Sequence, residues 1–232
     1  MIAAPATLRP RDAATLILVD RLSGRAHVLL GKRHPGHAFM PNKYVFPGGS
    51  LDPADRRMSV AAPLDPLVEA KLMAKTRRPS PGLARALALA AIRETFEETG
   101  LAVGVAADGG QSRAPEGAWT RFAATGALPA LDCLDLVARA ITPPGRPRRY
   151  DARFFVADAS SIAFRVGGVV HDEAELVELI WTPLDEALRL DLPRITRAVL
   201  DDLAAATQAG MDRARPRPFY RQLRHRDWRG EL

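Results

Sequence analysis

The sequence predicts an α/β/α sandwich, a mixed sheet carrying helices on both faces, formed as one domain over residues 1–232. Three observations predict it. Apolar runs of strand length recur along the chain, bounded by turn residues. Two or three segments with helical periodicity lie between them. No internal repeat and no Pro/Gly/Ser-rich linker divides the chain, and a hydrophobic content of 47% is ample for one core.

The elements follow in order. A-A-T-L-I-L-V at 13–19 reads as a buried strand, and A-H-V-L-L-G-K at 26–32 as a second, with Ser23-Gly24 as the turn between them. Residues 44–46 form a short third strand entering a Pro47-Gly48-Gly49 turn. Residues 66–76 read as a helix, closed by Pro79 and Pro81. The next helix starts at Ser80 as N-cap with Pro81 behind it, and runs to Thr99, roughly 28 Å at 1.5 Å per residue. Ala88, Leu89, Ile92 and Phe96 form its apolar face. Residues 101–105 read as a strand, and 106–117 as a polar, glycine-bearing mobile loop. Residues 136–142 and 153–157 are strands flanking Pro143-Pro144-Gly145, and 175–181 alternates into another. Residues 184–190 and 193–207 close the pattern as helices. Phe154, Phe155 and Trp181 are assigned to the core.

The charge balance is +6, with a pI near 10.1. That suits anionic partners, including a phosphate-rich small molecule. Much of the excess lies in a basic arm over about 211–232, where Pro216, Pro218, Tyr220 and Trp228 are interleaved with arginines. The arm lacks base-stacking organisation, so it reads as a solubilising or docking segment and not as a nucleic-acid tail. Cys133 is the single cysteine, which precludes an intramolecular disulfide and suits a reducing cytoplasm. No apolar run approaches the ~20 residues of a membrane helix, and the N-terminus lacks the charged and apolar regions of a secretory signal.

The chemistry concentrates in R-E-T-F-E-E-T-G-L at 93–101. Glu94, Glu97 and Glu98 stand at i, i+3 and i+4 and share one helix face. Gly100 follows as the helix stop. Three acids in a last turn oppose the macrodipole and repel one another, which helix stability does not explain. A bound divalent cation does. Mg²⁺ and Mn²⁺ take hard oxygen ligands of this kind.

With V-F-P-G-G upstream at 45–49, this string resembles the Nudix box, G-x5-E-x7-R-E-U-x-E-E-x-G-U with U aliphatic. Arg93, Glu94, Glu97, Glu98, Gly100 and Leu101 match, while Thr95 stands at an aliphatic position. An insertion of about 50–80 separates Gly49 from the helix, and Arg85 stands eight positions before Arg93, where an uninterrupted box has its first glutamate. Asp52, Asp55 and Glu69 are the alternative partners for Arg93. A-F-M-P-N-K-Y-V-F-P-G-G at 38–49 and R-Y-D-A-R-F-F at 149–155 resemble the split-box branch of coenzyme A diphosphatase-like Nudix proteins.

The resemblance implies a Nudix-type α/β/α sandwich with a mixed sheet. It implies metal-dependent hydrolysis of the diphosphate in a small nucleoside diphosphate derivative, coenzyme A or acyl-coenzyme A above others, with a homodimer as a family expectation. It also implies that a carbonyl of the Gly48-Gly49 turn joins Glu97 and Glu98 as metal ligands. Glu94 is either a third ligand or the general base. Glu173 and Glu175 are the loop alternatives for that base, against the ordinary expectation of a solvated loop. Lys32, Arg33 and Lys43 are candidates to hold phosphate, with plain surface charge as the alternative, and Tyr44 and Phe39 to stack on a base. His34 and His37 read as loop residues within phosphate reach. The competing functions are a non-catalytic nucleotide sensor on the same fold and an RNA 5′-end pyrophosphohydrolase. If the arm is a tail, deletion from Arg213 onward spares hydrolysis.

Overall fold

The computed structural model describes residues 8–21, 24–37, 40–107, 114–223 and 226–232. Ser23, Phe39 and the middle of the loop assigned to 106–117 lie outside them.

Strand β1 (Arg11–Asp20) is the centre of a mixed nine-stranded sheet. It pairs antiparallel with β2 (His27–Arg33), which carries β3 (Tyr44–Val45), and with β4 (Gly48–Ser50). Five more strands follow: β5 (Leu101–Val103), β6 (Val105–Ala106), β7 (Ala127–Leu128), β8 (Asp135–Ile141) and β9 (Tyr150–Asp158). The long β9 runs parallel to β1 from Arg11↔Tyr150 to Val19↔Asp158, and β8 adds antiparallel to β9. Short β10 (Ile162–Arg165) pairs with β5, and β6 with β7, outside the main sheet. At the far edge β11 (Leu176–Pro183) pairs with β2.

Strand alternation sends successive side chains to opposite faces, and the two faces hold two cores. Leu16, Leu18, Leu29 and Phe155 pack under α1 (Pro66–Met73) and α2 (Pro81–Thr99), with Phe96 and Phe122. Phe122 belongs to the short α3 (Thr120–Ala123). Ile17, Val19, Val28, Leu30 and Phe154 pack on the other face against α4 (Leu184–Ala187) and α5 (Arg194–Gln208). The start and stop of α2 are where the sequence puts them. Ser80 Oγ accepts from Leu83 N, and Gly100, at φ 74°, closes the last turn by donating to Phe96 O.

Two expectations are overturned. Gly48 and Gly49 are not a free turn: they form part of β4, in register with Thr15 and Ala14. A Cβ on Gly48 would meet Ala14 O and the Thr15 Cα at 2.6 and 2.7 Å, so a side chain there would push β4 off β1. The basic C-terminal segment is not a tail. It folds as the hairpin β12 (Pro218–Leu223) and β13 (Arg226–Glu231), with β12 parallel to β8. Arginines read as free charge are used inside. Arg217 pairs with buried Asp135 at 2.8 Å, Arg139 stacks 4.6 Å above the Phe219 ring, and Lys71 and Lys75 of the insertion donate to Arg213 O and Glu231 O. Removing residues 213–232 would uncover β8 and leave Asp135 without its cation. We expect the truncated chain to lose cooperative unfolding in a circular dichroism melt, where a dispensable tail would leave the transition in place.

Candidate functional site

Helix α2 lies against β4 through its last two turns, and this contact assembles the site. Arg93, only 4% exposed, spends all five guanidinium donors there. Nε and Nη2 grip Asp55 at 2.8 and 3.1 Å. Nη1 divides between Glu94 Oε1 and Glu97 Oε2, both at 2.9 Å, and Nη2 also donates to Ser50 O at 2.9 Å. Asp55 is fully buried in a 3-10 turn, Pro53–Arg56, and is as fully engaged. Its Oδ1 accepts from Trp119 Nε1 at 2.9 Å and its Oδ2 from Asp52 N at 2.8 Å.

Of the three acids named as partners for Arg93, Asp55 therefore takes the role. Asp52 caps the 3-10 turn through Ala54 N, and Glu69 lies on α1. The signal was in the sequence. Asp55 follows Gly49 by five intervening residues, the spacing of the first acid in G-x5-E, with Asp in place of Glu. The break in the box therefore lies between Asp55 and Arg93 and not directly after Gly49. Arg85 has a different task, donating to Arg56 O and Met58 O.

The three glutamates all sit at the glycine strand. Glu98, 8% exposed, accepts from Gly48 N at 3.0 Å through Oε2. A Cβ at Gly49 would lie 2.5 and 2.6 Å from the two Glu94 oxygens. The Glu98 carboxyl is pushed well above its ordinary range by burial first, then by the charges of Glu175 and Glu94, against Arg33 and the Gly48 N–H. Burial also raises Glu94 and Glu97, each opposed by Arg93. For Arg93, burial works downward, but the Asp55 bond and the charges of Glu94, Asp55 and Glu97 outweigh it and raise its pKa. Three carboxylates, of Asp55, Glu94 and Glu97, thus face one guanidinium, with Glu98 beside them.

Among the described residues, no three His, Cys, Asp or Glu side chains are gathered on one point as a finished ligand set. The reason is local: Glu94 and Glu97 lean to Arg93 while Glu98 turns to Gly48. Each of the three nevertheless keeps one carboxylate oxygen with no hydrogen bond among the described residues. Hard, desolvated and mutually repelling oxygens suit a divalent cation, which would offset their charge.

The other named residues divide. Arg33 and Glu175 are joined by a 2.9 Å ion pair, and the charges of both act on Glu98. Alternation turns Lys32 and Tyr44 to the α5 side, where Lys32 lies 5.9 Å from the Tyr44 ring and Tyr44 Oη donates to Glu178. Lys43 is tied to Asp191 at 2.5 Å beside α5. Glu173 is exposed, and its N–H donates to His171 Nδ1, with no contact to the acids.

A Gly49→Ala variant separates site from fold. The new methyl would meet the end of a flexible side chain, so Glu94 would move before the backbone does. The expected result is a melting temperature close to the parent's and a cleavage rate at least about tenfold lower, since a displacement of about 1 Å in a reacting group is costly. Equal rates would show that Glu94 is dispensable.

No family model matches the chain. It is 28% identical over 240 residues to acyl-coenzyme A diphosphatase NUDT19 of Gallus gallus, with 77% of this chain and 62% of that protein covered. The chain therefore spans less than two thirds of that relative's length. Among solved structures it is similar to a NUDIX hydrolase from Alicyclobacillus acidocaldarius, at a TM-score of 0.63 and 27% identity, covering 89% of this chain and 96% of that one. Among the described residues no helix is long and apolar enough to cross a membrane. A mixed sheet with helices on both faces, and a helix that sets Arg93 and three glutamates on a glycine strand, belong together: the chain has the fold of the Nudix hydrolase it is similar to and resembles an acyl-coenzyme A diphosphatase in sequence.

Proposed function

We propose that the chain hydrolyses the phosphoanhydride of a nucleoside diphosphate derivative, with Mg²⁺ or Mn²⁺ held by Glu97, Glu98, Glu94 and a carbonyl of the Gly48-Gly49 strand. The observation that carries this reading is the set of acids at the α2–β4 contact, with Glu94, Glu97 and Glu98 each keeping a carboxylate oxygen to spare beside glycines whose Cβ would meet β1 at Gly48 and Glu94 at Gly49. Bound there, the metal would neutralise the diphosphate and polarise a water for attack at phosphorus. The chain's own residues supply the rest. Arg93 does not touch substrate in this reading; it aims Glu94 and Glu97 and is itself fixed by Asp55. Glu175, whose charge acts on Glu94 and Glu98, is favoured over Glu173 as the base that takes the water's proton. Glu94 remains the alternative.

Coenzyme A and acyl-coenzyme A are the favoured substrates, supported by the 28% likeness to an acyl-coenzyme A diphosphatase. Substrate choice resides in loops and the insertion, which the box does not encode. The test is incubation with Mg²⁺ or Mn²⁺ against coenzyme A esters, ADP-ribose, nucleotide sugars and dinucleotides, with products identified by mass. Cleavage of coenzyme A esters into two phosphomonoester products supports the reading. A folded protein that cleaves none of the panel with either metal overturns it.

A further inference from the structure

Arg33 differs from the other cations named in the sequence. It stands on the α2 side of β2, one position beyond Lys32, which faces the opposite way. Its side chain is 12% exposed. It is held at one corner: Nη1 donates to Glu175 Oε1 at 2.9 Å and lies 3.2 Å from His37 Nδ1. His37 Nε2 lies 3.5 Å from the same Glu175 oxygen, closing a triangle. The Arg33 Nε is buried without a hydrogen-bond partner among the described residues. A nearly enclosed guanidinium with donors unused is suited to a phosphate, whose oxygens match its planar fork.

Glu175 is the other half of the arrangement. Glu175 directly precedes β11, which touches α2, and its charge acts on Glu94 and Glu98 while that of Arg33 acts on Glu98, so the pair stands on the acids' side of the sheet. Yet the same Glu175 oxygen is occupied by Arg33 and His37. An anion arriving at Arg33 would compete with Glu175 for the same guanidinium donor.

We propose that Arg33 and Glu175 are an exchangeable pair, in which a substrate phosphate displaces Glu175 from Arg33 and the released carboxylate becomes the general base. This rests on the hydrolase reading above. In the step that follows, the attacking water gives one proton to Glu175 and its oxygen bonds to phosphorus. The anhydride P–O bond breaks, its electron pair leaves on the departing phosphate, and Glu175 returns the proton to solvent. Recognition and activation are then one event, so that water is not activated in the absence of a phosphate ligand.

The full-length chain tests this with R33A, R33K and E175Q. Two readouts apply: calorimetric affinity for a methylene-bridged ADP analogue with Mg²⁺, and kinetics on a cleavable diphosphate. E175Q is expected to bind the analogue about threefold more tightly or better, because Arg33 no longer has an anionic competitor. Its kcat falls on the order of 10²-fold. R33A is expected to lose about tenfold in affinity, with the kinetic loss larger in KM than in kcat, and R33K to recover only part of it. An E175Q that binds as weakly as the parent or more so, or an R33A that binds as the parent does, overturns the exchange. Absence of any cleavage by the parent would sink the hydrolase reading instead, while the analogue affinities would still decide the pair.

Discussion

Glu98→Gln is expected to lower turnover on a cleavable diphosphate by about 10²–10³-fold, the scale of losing a principal electrostatic group at a reacting phosphate. The variant keeps the shape of the side chain, and its amide oxygen can still accept from Gly48 N, so the α2–β4 contact survives. What disappears is charge, and the consequence for stability has a definite sign. Burial, reinforced by Glu175 and Glu94, raises the folded-state pKa of Glu98 above its unfolded value. Between those two values the folded chain holds more protons than the unfolded one, so stability falls as pH rises through that window. Glutamine has no such dependence. In chelator at neutral pH, E98Q is therefore expected to melt above the parent, by about 2–4 °C for each kcal/mol relieved in a chain of this size. The gap should close well below about pH 4, where the parent's Glu98 is protonated in both states. Added Mg²⁺ or Mn²⁺ should raise the parent's melting temperature and leave that of E98Q nearly unmoved. Equal turnover in the two proteins would remove Glu98 from the chemistry. A parent that melts above E98Q in chelator would show that its carboxylate is not strained by burial.

The sequence made some of this legible and hid the rest for physical reasons. Helix α2 was readable to its ends because Ser80, Pro81 and Gly100 act locally, through a cap, a fixed φ and a left-handed residue. The long strands were readable because they are buried on both faces. The C-terminal hairpin was not, because β12 is made by pairing with β8, 80 residues away at Phe219↔Arg139 and Tyr220↔Ala140, and its arginines look like solvated charge until their partners are known. The same holds for Gly48 and Gly49: a pair of glycines signals a bend, and only the presence of Ala14 and Thr15 alongside makes them strand. At the site, Glu94, Glu97 and Glu98 were legible from spacing on one helix. Trp119 was not, since nothing in its own neighbourhood says that its indole N–H meets Asp55, 64 residues earlier. Lys32 and Tyr44, named for phosphate and base, stand on the opposite face of the sheet from the acids, and the alternation that separates Lys32 from Arg33 was available in the sequence.

Asp55→Ala is expected to have the largest effect on stability. The variant strips the charge partner from a buried arginine and leaves four donors, Arg93 Nε, Arg93 Nη2, Trp119 Nε1 and Asp52 N, without their acceptor. Breaking a buried ion pair in this way costs about 3–5 kcal/mol, because the surviving charge stays desolvated. Arg93 would not be wholly bereft, since Glu94, Glu97 and Ser50 O still hold its Nη groups. That compensation has its own consequence. With Asp55 gone, the guanidinium draws harder on Glu94 and Glu97, the carboxylates proposed to hold the metal, so metal-dependent turnover should fall even in the fraction that remains folded. Asp55→Glu discriminates the two effects. It restores the acid that the uninterrupted box carries at this position but adds a methylene in a fully buried site. We expect it to recover metal affinity, measured by calorimetry on the folded protein, more completely than it recovers the melting temperature. If Asp55→Ala melts within about 1 kcal/mol of the parent, the buried pair does not organise the site. In that case the orientation of Glu94 and Glu97 must come from the helix alone.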